Sequence, residues 1–509
     1  PIFSGATHCV NVTGYKPFFY IRVTDNWTKY KTRQFRDEMS NRMGYYRNTI
    51  HECKLVEKHT LYGFDNNAKH RFMYVSFHNM RGFNKMKGFF CKYEDEEEEQ
   101  PNKEVNDEYD YDSEAEVLDD VSIPTKPKRR KQVIHTLVFQ NTQLHVYEAN
   151  IPPILRFFHV QQIQPAGWVS IDKKHQISKV EMKSRCAYEY IMDYKDITPL
   201  PDMNASVPYK ICSFDIEALS SHGDFPLAKK NYKKVASQII EYWENNDIEK
   251  EHKEATFRIL ILSVYSLLEN NCHDMDIVHV KHKQHVTLEH ISSLCDKLIQ
   301  SKVLKIIDTK RVKRDVKIDK LTIMLDRYLP PLEGDIVTFI GSTFIRNGEK
   351  TPYLNHCIAL GEAIVEDNTS VIECYDKEED VLLAWTKVIQ NEDPDIIIGY
   401  NIFGFDYEFM FRRAQENYCD REFLMLSRKV NEICANEERD SPGKYNLEHT
   451  KIQIASGEYD LRYAKMSGRL QIDMYAYFRR DFNLSSYKLD DVRSEEHTSE
   501  LQSRQYLVC

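Results

Sequence analysis

Three carboxylates, one amide and one aromatic ring are spaced along this chain as metal-assisted hydrolysis would need them. Asp215 and Glu217 follow the apolar run Ile211-Cys212-Ser213-Phe214. Strand side chains repeat every two residues, so the two carboxylates leave one face of a short strand. Oxygens so placed can bridge two divalent ions about 3.5–4 Å apart, the separation that activates a water and holds a leaving oxygen. Asn401, Phe405 and Asp406 form a second cluster, with 406 − 215 = 191 positions between the first and last Asp. It follows an apolar strand, Asp395–Gly399, and opens a helix over 407–416, whose N-terminus favours an anion such as Asp406. Asp-x-Glu alone is far more readily a solvated strand end; the joint pattern carries the reading.

The elements that must position these residues are legible around them. Ile336–Ile345, the turn Asn347-Gly348 and Tyr353–Leu360 read as a hairpin. A helix is expected over 377–391, with Val381, Leu382, Trp385, Val388 and Ile389 on one side, and an amphipathic helix over 226–246 through Leu227, Val235, Ile239, Ile240 and Trp243. Strand, hairpin, helix, strand and helix imply a mixed sheet with helices on its faces. Upstream, the alternating runs Phe18–Val23 and Arg71–Phe77, a polar helix over 32–46, and strands at Ile134–Phe139 and Leu144–Tyr147 predict a mixed α/β N-terminal domain. The fold class is therefore α/β.

Length allows two or more domains. The 12 cysteines contain no C-x-x-C pair, against both a zinc ribbon and a secreted disulfide framework. No apolar run of ~18 residues and no signal peptide pattern occurs, so no membrane is expected as a partner. The net charge of −10 is local: segment 94–120 holds 15 acidic residues against one lysine, Lys103. The stretch 93–132 has little to bury and reads as a disordered acidic/basic surface insertion. Its functional alternative is a DNA mimic or partner-binding tail, with Lys126 to Lys131 in the form of a nuclear import signal.

Taken together, Phe214-Asp215-Ile216-Glu217, Asp393-Pro394-Asp395-Ile396-Ile397-Ile398-Gly399-Tyr400-Asn401 and Phe405-Asp406 resemble the first two proofreading motifs of family B DNA polymerases. Ile151-Pro152-Pro153-Ile154-Leu155-Arg156-Phe157-Phe158-His159 and Gln164–Val169 resemble the segment before that exonuclease domain in delta-type and viral members. Ser221–Pro226 is similar to large DNA virus polymerases. The resemblance implies a ribonuclease H-like 3′→5′ exonuclease domain at 206–492 after a family N-terminal domain at 1–205. It implies metal ligation and catalysis by Asp215, Glu217 and Asp406 with two Mg²⁺ ions, or Mn²⁺, and DNA contacts from Asn401 and Phe405. Implied partners are primer-template DNA and single-stranded 3′ ends, with deoxynucleotides for the full-length enzyme and a sliding clamp as candidate processivity factor. The expected location is intracellular, in the host nucleus or a cytoplasmic viral factory.

Gly468–Met474 and Leu484–Leu489 resemble the stretch leading into the third exonuclease motif, Tyr-x-x-x-Asp. Tyr487 is read as part of that lead-in and Asp491 as a decoy. Residues 493–503 resemble a translated sequencing adapter, so 493–509 is expected to be non-native, the start at Pro1 incomplete, and the domain truncated before its third motif. The polymerase signatures are absent from these residues, so the chain is expected not to extend a primer and to have weak or no exonuclease activity. The alternatives are a free-standing metal-dependent 3′→5′ exonuclease and a non-catalytic scaffold. His279, His282 and His285 form a weak zinc pattern, and the basic run Lys310–Lys320 is either a phosphate track or a solvated surface.

Overall fold

The computed structural model describes residues 6–493 apart from 61–65, 67, 96–129, 135–136, 221–224, 269–274, 282–285, 310–311, 365–368, 439 and 455–456. Two compact units are present: His8–Ser178 with Tyr188–Ala205, and Lys179–Ala187 with the residues from Ser206 onward.

The first unit is mixed α/β. Its antiparallel sheet runs in the order Ile50–Lys58, His70–Phe77, Phe18–Arg22, Thr142–Tyr147, Leu137–Phe139. Alternation in Phe18–Arg22 buries Phe19 and Ile21 with Phe35 and Met39 of the helix Lys29–Met43. That helix starts earlier than 32 because the Thr28 side chain accepts the Lys31 amide, and it stops before 46 because Gly44 turns left-handed at φ 58°. The insertion expected at 93–132 needs correction at its ends. Cys91–Asp95 and Arg130–Ile134 pair as antiparallel strands, with Glu94 opposite Lys131 and Asp95 opposite Arg130. Residues 96–129 lie outside the described residues.

The second unit is built on a six-stranded mixed sheet. Its elements are β1 (Lys210–Leu219), helices α1 (Lys233–Asn245), α2 (Lys253–Val264), α3 (Leu288–Gln300), α4 (Val303–Asp308) and α5 (Arg314–Tyr328), then β2 (Ile336–Arg346), β3 (Leu354–Leu360), β4 (Ser370–Tyr375), α6 (Glu378–Glu392), β5 (Ile396–Gly399) and α7 (Asp406–Glu416). A hairpin, β6 (Glu448–Ile454) and β7 (Gly457–Tyr463), precedes β8 (Leu470–Asp473) and α8 (Met474–Asp481). The sheet order is β4-β3-β2-β1-β5-β8, with β1 antiparallel to β2 and parallel to β5. This is the ribonuclease H-like arrangement expected, and β1 lies inside the sheet.

Two expectations shift and one holds. The 226–246 helix begins at Lys233, because Leu227 is tied outside it: its amide donates to Asp335 Oδ2 at 2.8 Å and its carbonyl accepts the Asp335 amide. The β2–β3 hairpin forms as expected: Asn347 and Gly348, the latter at φ 92°, are the central residues of a turn closed by the Glu349 amide on the Arg346 carbonyl at 3.0 Å, and the ladder ends at Phe344 opposite Leu354. Among the described residues, five helices with a core of their own stand between β1 and β2, including Ile239, Phe257, Leu260, Ile291, Leu298 and Leu321, and only the first is legible in the sequence. No helix among the described residues is long and apolar enough to cross a membrane.

Candidate active site

β1 sets the first two carboxylates. Cys212, Phe214 and Ile216 point into the core, where the Phe214 ring meets Trp385 of α6 at 4.9 Å and Tyr407 of α7 at 5.4 Å. The alternate residues, Asp215 and Glu217, are exposed on the opposite face. A slip of one residue would bury both carboxylates and expose the aromatic, so packing fixes which face carries the charge. Across the ladder, Asp215 faces Gly341, which places no side chain over it. Asp215 Oδ1 accepts the Ile216 amide at 3.0 Å.

β5 delivers the second cluster. It ends at Gly399, where a Cβ would sit 2.3 Å from Ile402 Cγ2 and 2.9 Å from the Phe214 carbonyl oxygen, so the chain passes close over β1. Asn401 takes the left-handed φ of 65°, and its carbonyl oxygen accepts the amides of Gly404 at 3.0 Å and Phe405 at 2.9 Å. Asp473, the last residue of β8, holds this turn. Its Oδ1 accepts the Asn401 amide at 2.8 Å and the Tyr475 amide at 2.9 Å, and its Oδ2 accepts the Phe403 amide at 3.0 Å. One carboxylate thus caps α8 and ties down the loop between β5 and α7.

Asp406 is the first residue of α7 and is 3% exposed. Burial, and then the negative charge of Asp215, push its carboxyl up to about 7. Its Oδ1 is buried without a hydrogen-bond partner. A buried acceptor left unpaired costs about 1–3 kcal/mol, and a neighbouring carboxylate makes ionisation costlier still. Both costs fall if a cation sits between the two groups. Behind the site, α7 is pinned to α6 by a buried pair: Arg413 Nε donates to Glu378 Oε1 at 2.9 Å and Nη2 to Oε2 at 2.6 Å.

Among the described residues, no three His, Cys, Asp or Glu side chains are closed into a ready-made metal cage. The fit to a divalent cation rests instead on the orphaned Asp406 oxygen, the adjacent Asp215 carboxylate, and Glu217 one step along the same exposed face. These donors are all hard oxygens, which suit Mg²⁺ or Mn²⁺ rather than a thiophilic metal.

Residues 144–313 and 259–492 match the family model described as DNA polymerase family B, exonuclease domain. The chain belongs to this family. It is 33% identical to the DNA polymerase of Phaeocystis pouchetii virus, over 96% of this chain and 50% of that one. To the DNA polymerase of Pyramimonas orientalis virus it is 30% identical, over 96% of this chain and 39% of the relative. The DNA polymerase delta catalytic subunit of Mesocricetus auratus is 36% identical over 32% of this chain and 14% of its own length. The chain therefore spans half or less of the length of these relatives.

Within this family B exonuclease domain the remaining expected residues fall as follows. Asn401 is half-buried with its side chain against Gly404, where a Cβ would lie 2.3 Å from Asn401 Oδ1. Phe405 is half-buried and meets Phe409 at 5.1 Å and Phe225 at 5.3 Å. Phe225 is 73% exposed, an aromatic at the mouth of the site that sequence reasoning passed over although it lies in the quoted Ser221–Pro226 string. Asp473 was also missed as an organiser; its signal was an apolar strand ending in Asp directly before a helix. Tyr487 is engaged in the fold: its hydroxyl donates to the Phe482 carbonyl at 2.8 Å, and its own carbonyl accepts the Tyr400 hydroxyl. Asp491 lies in the short helix Leu489–Val492.

The other clusters are described only in part. His279 precedes the isolated bridge between Val280 and Leu332, while His282 and His285 lie outside the described residues. In the basic run, Lys310 and Arg311 are likewise outside. Arg314 pairs with Glu241 at 3.2 Å, and Lys317 is buried with its Nζ donating to the Ile307 carbonyl at 3.2 Å.

Proposed function

We propose that this chain supplies the proofreading 3′→5′ exonuclease part of a replicative, template-directed DNA polymerase. The observation that carries the reading is the Asp215 carboxylate beside a buried Asp406 carboxyl with an unpartnered oxygen. Asp215, Glu217 and Asp406 would hold two Mg²⁺ ions, with Mn²⁺ as a substitute. Bound there, the ions would supply an acidified attacking water and charge stabilisation at the departing 3′ oxygen.

The chain's own residues do the rest. Asp406 gives up the proton that burial retains below about pH 7, which couples cation occupancy to ionisation. Asn401, held on its strained turn by Asp473, presents an amide to the nucleotide, and Phe405 with Phe225 forms an aromatic step for an unstacked base. A mispaired end reaches such a site more often because unpairing it costs less.

Primer extension, deoxynucleotide use, a sliding clamp and action inside an infected cell, in nucleus or viral factory, are proposals for the whole polymerase. Polymerase activity rests on the similarity to viral DNA polymerases of which this chain spans 50% and 39%; the clamp and the compartment rest on the family resemblance alone. By itself the chain is proposed to be inactive as a polymerase. The test is Mg²⁺-dependent release of nucleotides from single-stranded 3′ ends, for which a low rate is expected. Loss of that release in Asp215→Ala and Asp406→Ala supports the reading, and release that is indifferent to both substitutions overturns it.

A further inference from the structure

A cavity of about 610 Å³ opens beside the site, between the segment that leaves β1 and the helices inserted before β2. That size lies in the range of pockets that take small organic ligands, about 300–1,000 Å³. Its apolar wall is made by Leu227, Val235, Ile277 and Ile318, and Phe225 forms its lip. Phe225 is the same ring that meets Phe405, the neighbour of Asp406, at 5.3 Å, so the cavity and the carboxylate site share a wall.

Three lysines and two aspartates line the cavity; two of the lysines pair with the aspartates, and Lys233 Nζ lies 3.5 Å from Asp319 outside the lining. Lys230 Nζ lies 2.6 Å from Asp335, and Lys234 Nζ lies 2.8 Å from Asp276. Asp335 is 4% exposed and also accepts the Leu227 amide, so it holds the wall in place. Each of these lysines is held by a carboxylate, so the wall offers no unpaired cation dedicated to a phosphate. Its aliphatic surfaces and aromatic lip suit a flat, uncharged ring with polar edges. Leu227 and Ile277 remain 54% and 43% exposed, apolar surface that such a guest would cover.

Resting on the exonuclease reading, we infer that this cavity is a nucleobase pocket: it takes one unpaired base of the single strand whose 3′ end lies at Asp215 and Asp406. The helical insertion would then extend the strand-binding surface beyond the reacting nucleotide and favour ends already melted over several positions.

The test uses the full 509-residue chain and single-stranded oligonucleotides carrying 2-aminopurine at successive positions from the 3′ end, with Ca²⁺ replacing Mg²⁺ to prevent cleavage. One internal position is expected to change its fluorescence on binding. Leu227→Arg and Ile277→Arg, both at exposed positions, are expected to abolish that change and weaken oligonucleotide binding roughly tenfold, the scale of one lost base stack. Circular dichroism of both variants checks that the fold is kept. If the oligonucleotide binds and both variants leave the signal and affinity unchanged, the pocket assignment falls while the exonuclease reading stands. If the chain binds no single-stranded DNA, both fall together.

Discussion

Asp473 Oδ1 accepts the Asn401 amide at 2.8 Å, so the end of one strand fixes the turn that leads into the helix of Asp406. β8 and β5 are parallel neighbours, and Asp473 is the register partner of Gly399. The carboxylate stands where the chain must turn, and it accepts three backbone amides there. Its burial raises its pKa in spite of those donors, which makes it a group committed to structure rather than to solvent.

Asp473→Ala is therefore expected to destabilise the fold by about 2–4 kcal/mol, the sum of a lost helix cap and buried amides left unpaired. Asp473→Asn keeps one acceptor oxygen and is expected to recover part of that loss. Urea unfolding of the three proteins checks the order, and nuclease assays check that activity falls with it.

The Asp406 carboxyl is held at about 7, above its ordinary 3.8. Between those values the metal-free fold binds a proton that the unfolded chain has released, so stability is present at low pH and is lost as pH rises through about 7. The expected loss is roughly 2–4 kcal/mol. Asp406→Asn removes the slope, and thermal unfolding of both proteins across this window in the presence of a chelator shows whether it does.

Gly399→Ala places a Cβ 2.9 Å from the Phe214 carbonyl oxygen and 2.3 Å from Ile402. Because one of these is backbone of the carboxylate-bearing strand, the turn must lift away from β1. A destabilisation of about 1–3 kcal/mol is expected, together with a loss of at least about tenfold in nuclease rate, since small misplacements of reacting groups are costly. Rate measurements at a temperature where both proteins are folded separate the two effects.

Arg413→Met leaves Glu378 buried without its partner, although Glu378 Oε1 still accepts the Val337 amide at 2.7 Å. The expected cost is about 3–5 kcal/mol. Replacing Glu378 by Gln in the same chain is expected to return part of it, which a double-mutant cycle by chemical denaturation resolves.

Much of the site was legible because its determinants are local. Period-two alternation at Ile211–Glu217 sets which face carries the acids, and the apolar run before Asn401 ends where a helix begins. The rest depends on partners distant in sequence. Leu227 looks like the first apolar residue of a helix until Asp335, over a hundred positions later, binds both its amide and its carbonyl. In the run Phe257–Leu268 most positions are apolar, so it has no periodicity from which to read a helix, and α2 buries Phe257 and Leu260–Val264 in a separate core. Asp473 reads as one more acidic strand end until β8 is laid beside β5. Phe225 gains meaning only when its ring meets Phe405.

Asp406 and Asp215 are proposed to share a divalent cation. Calorimetric titration of Mn²⁺ into the chain and into Asp406→Asn, in buffers of different ionisation enthalpy below and above about pH 7, decides whether they do. Saturable binding is expected that tightens as pH rises to about 7, releases a proton below it, and is lost in Asp406→Asn. Equal Mn²⁺ binding by both proteins, with no proton released, would contradict it.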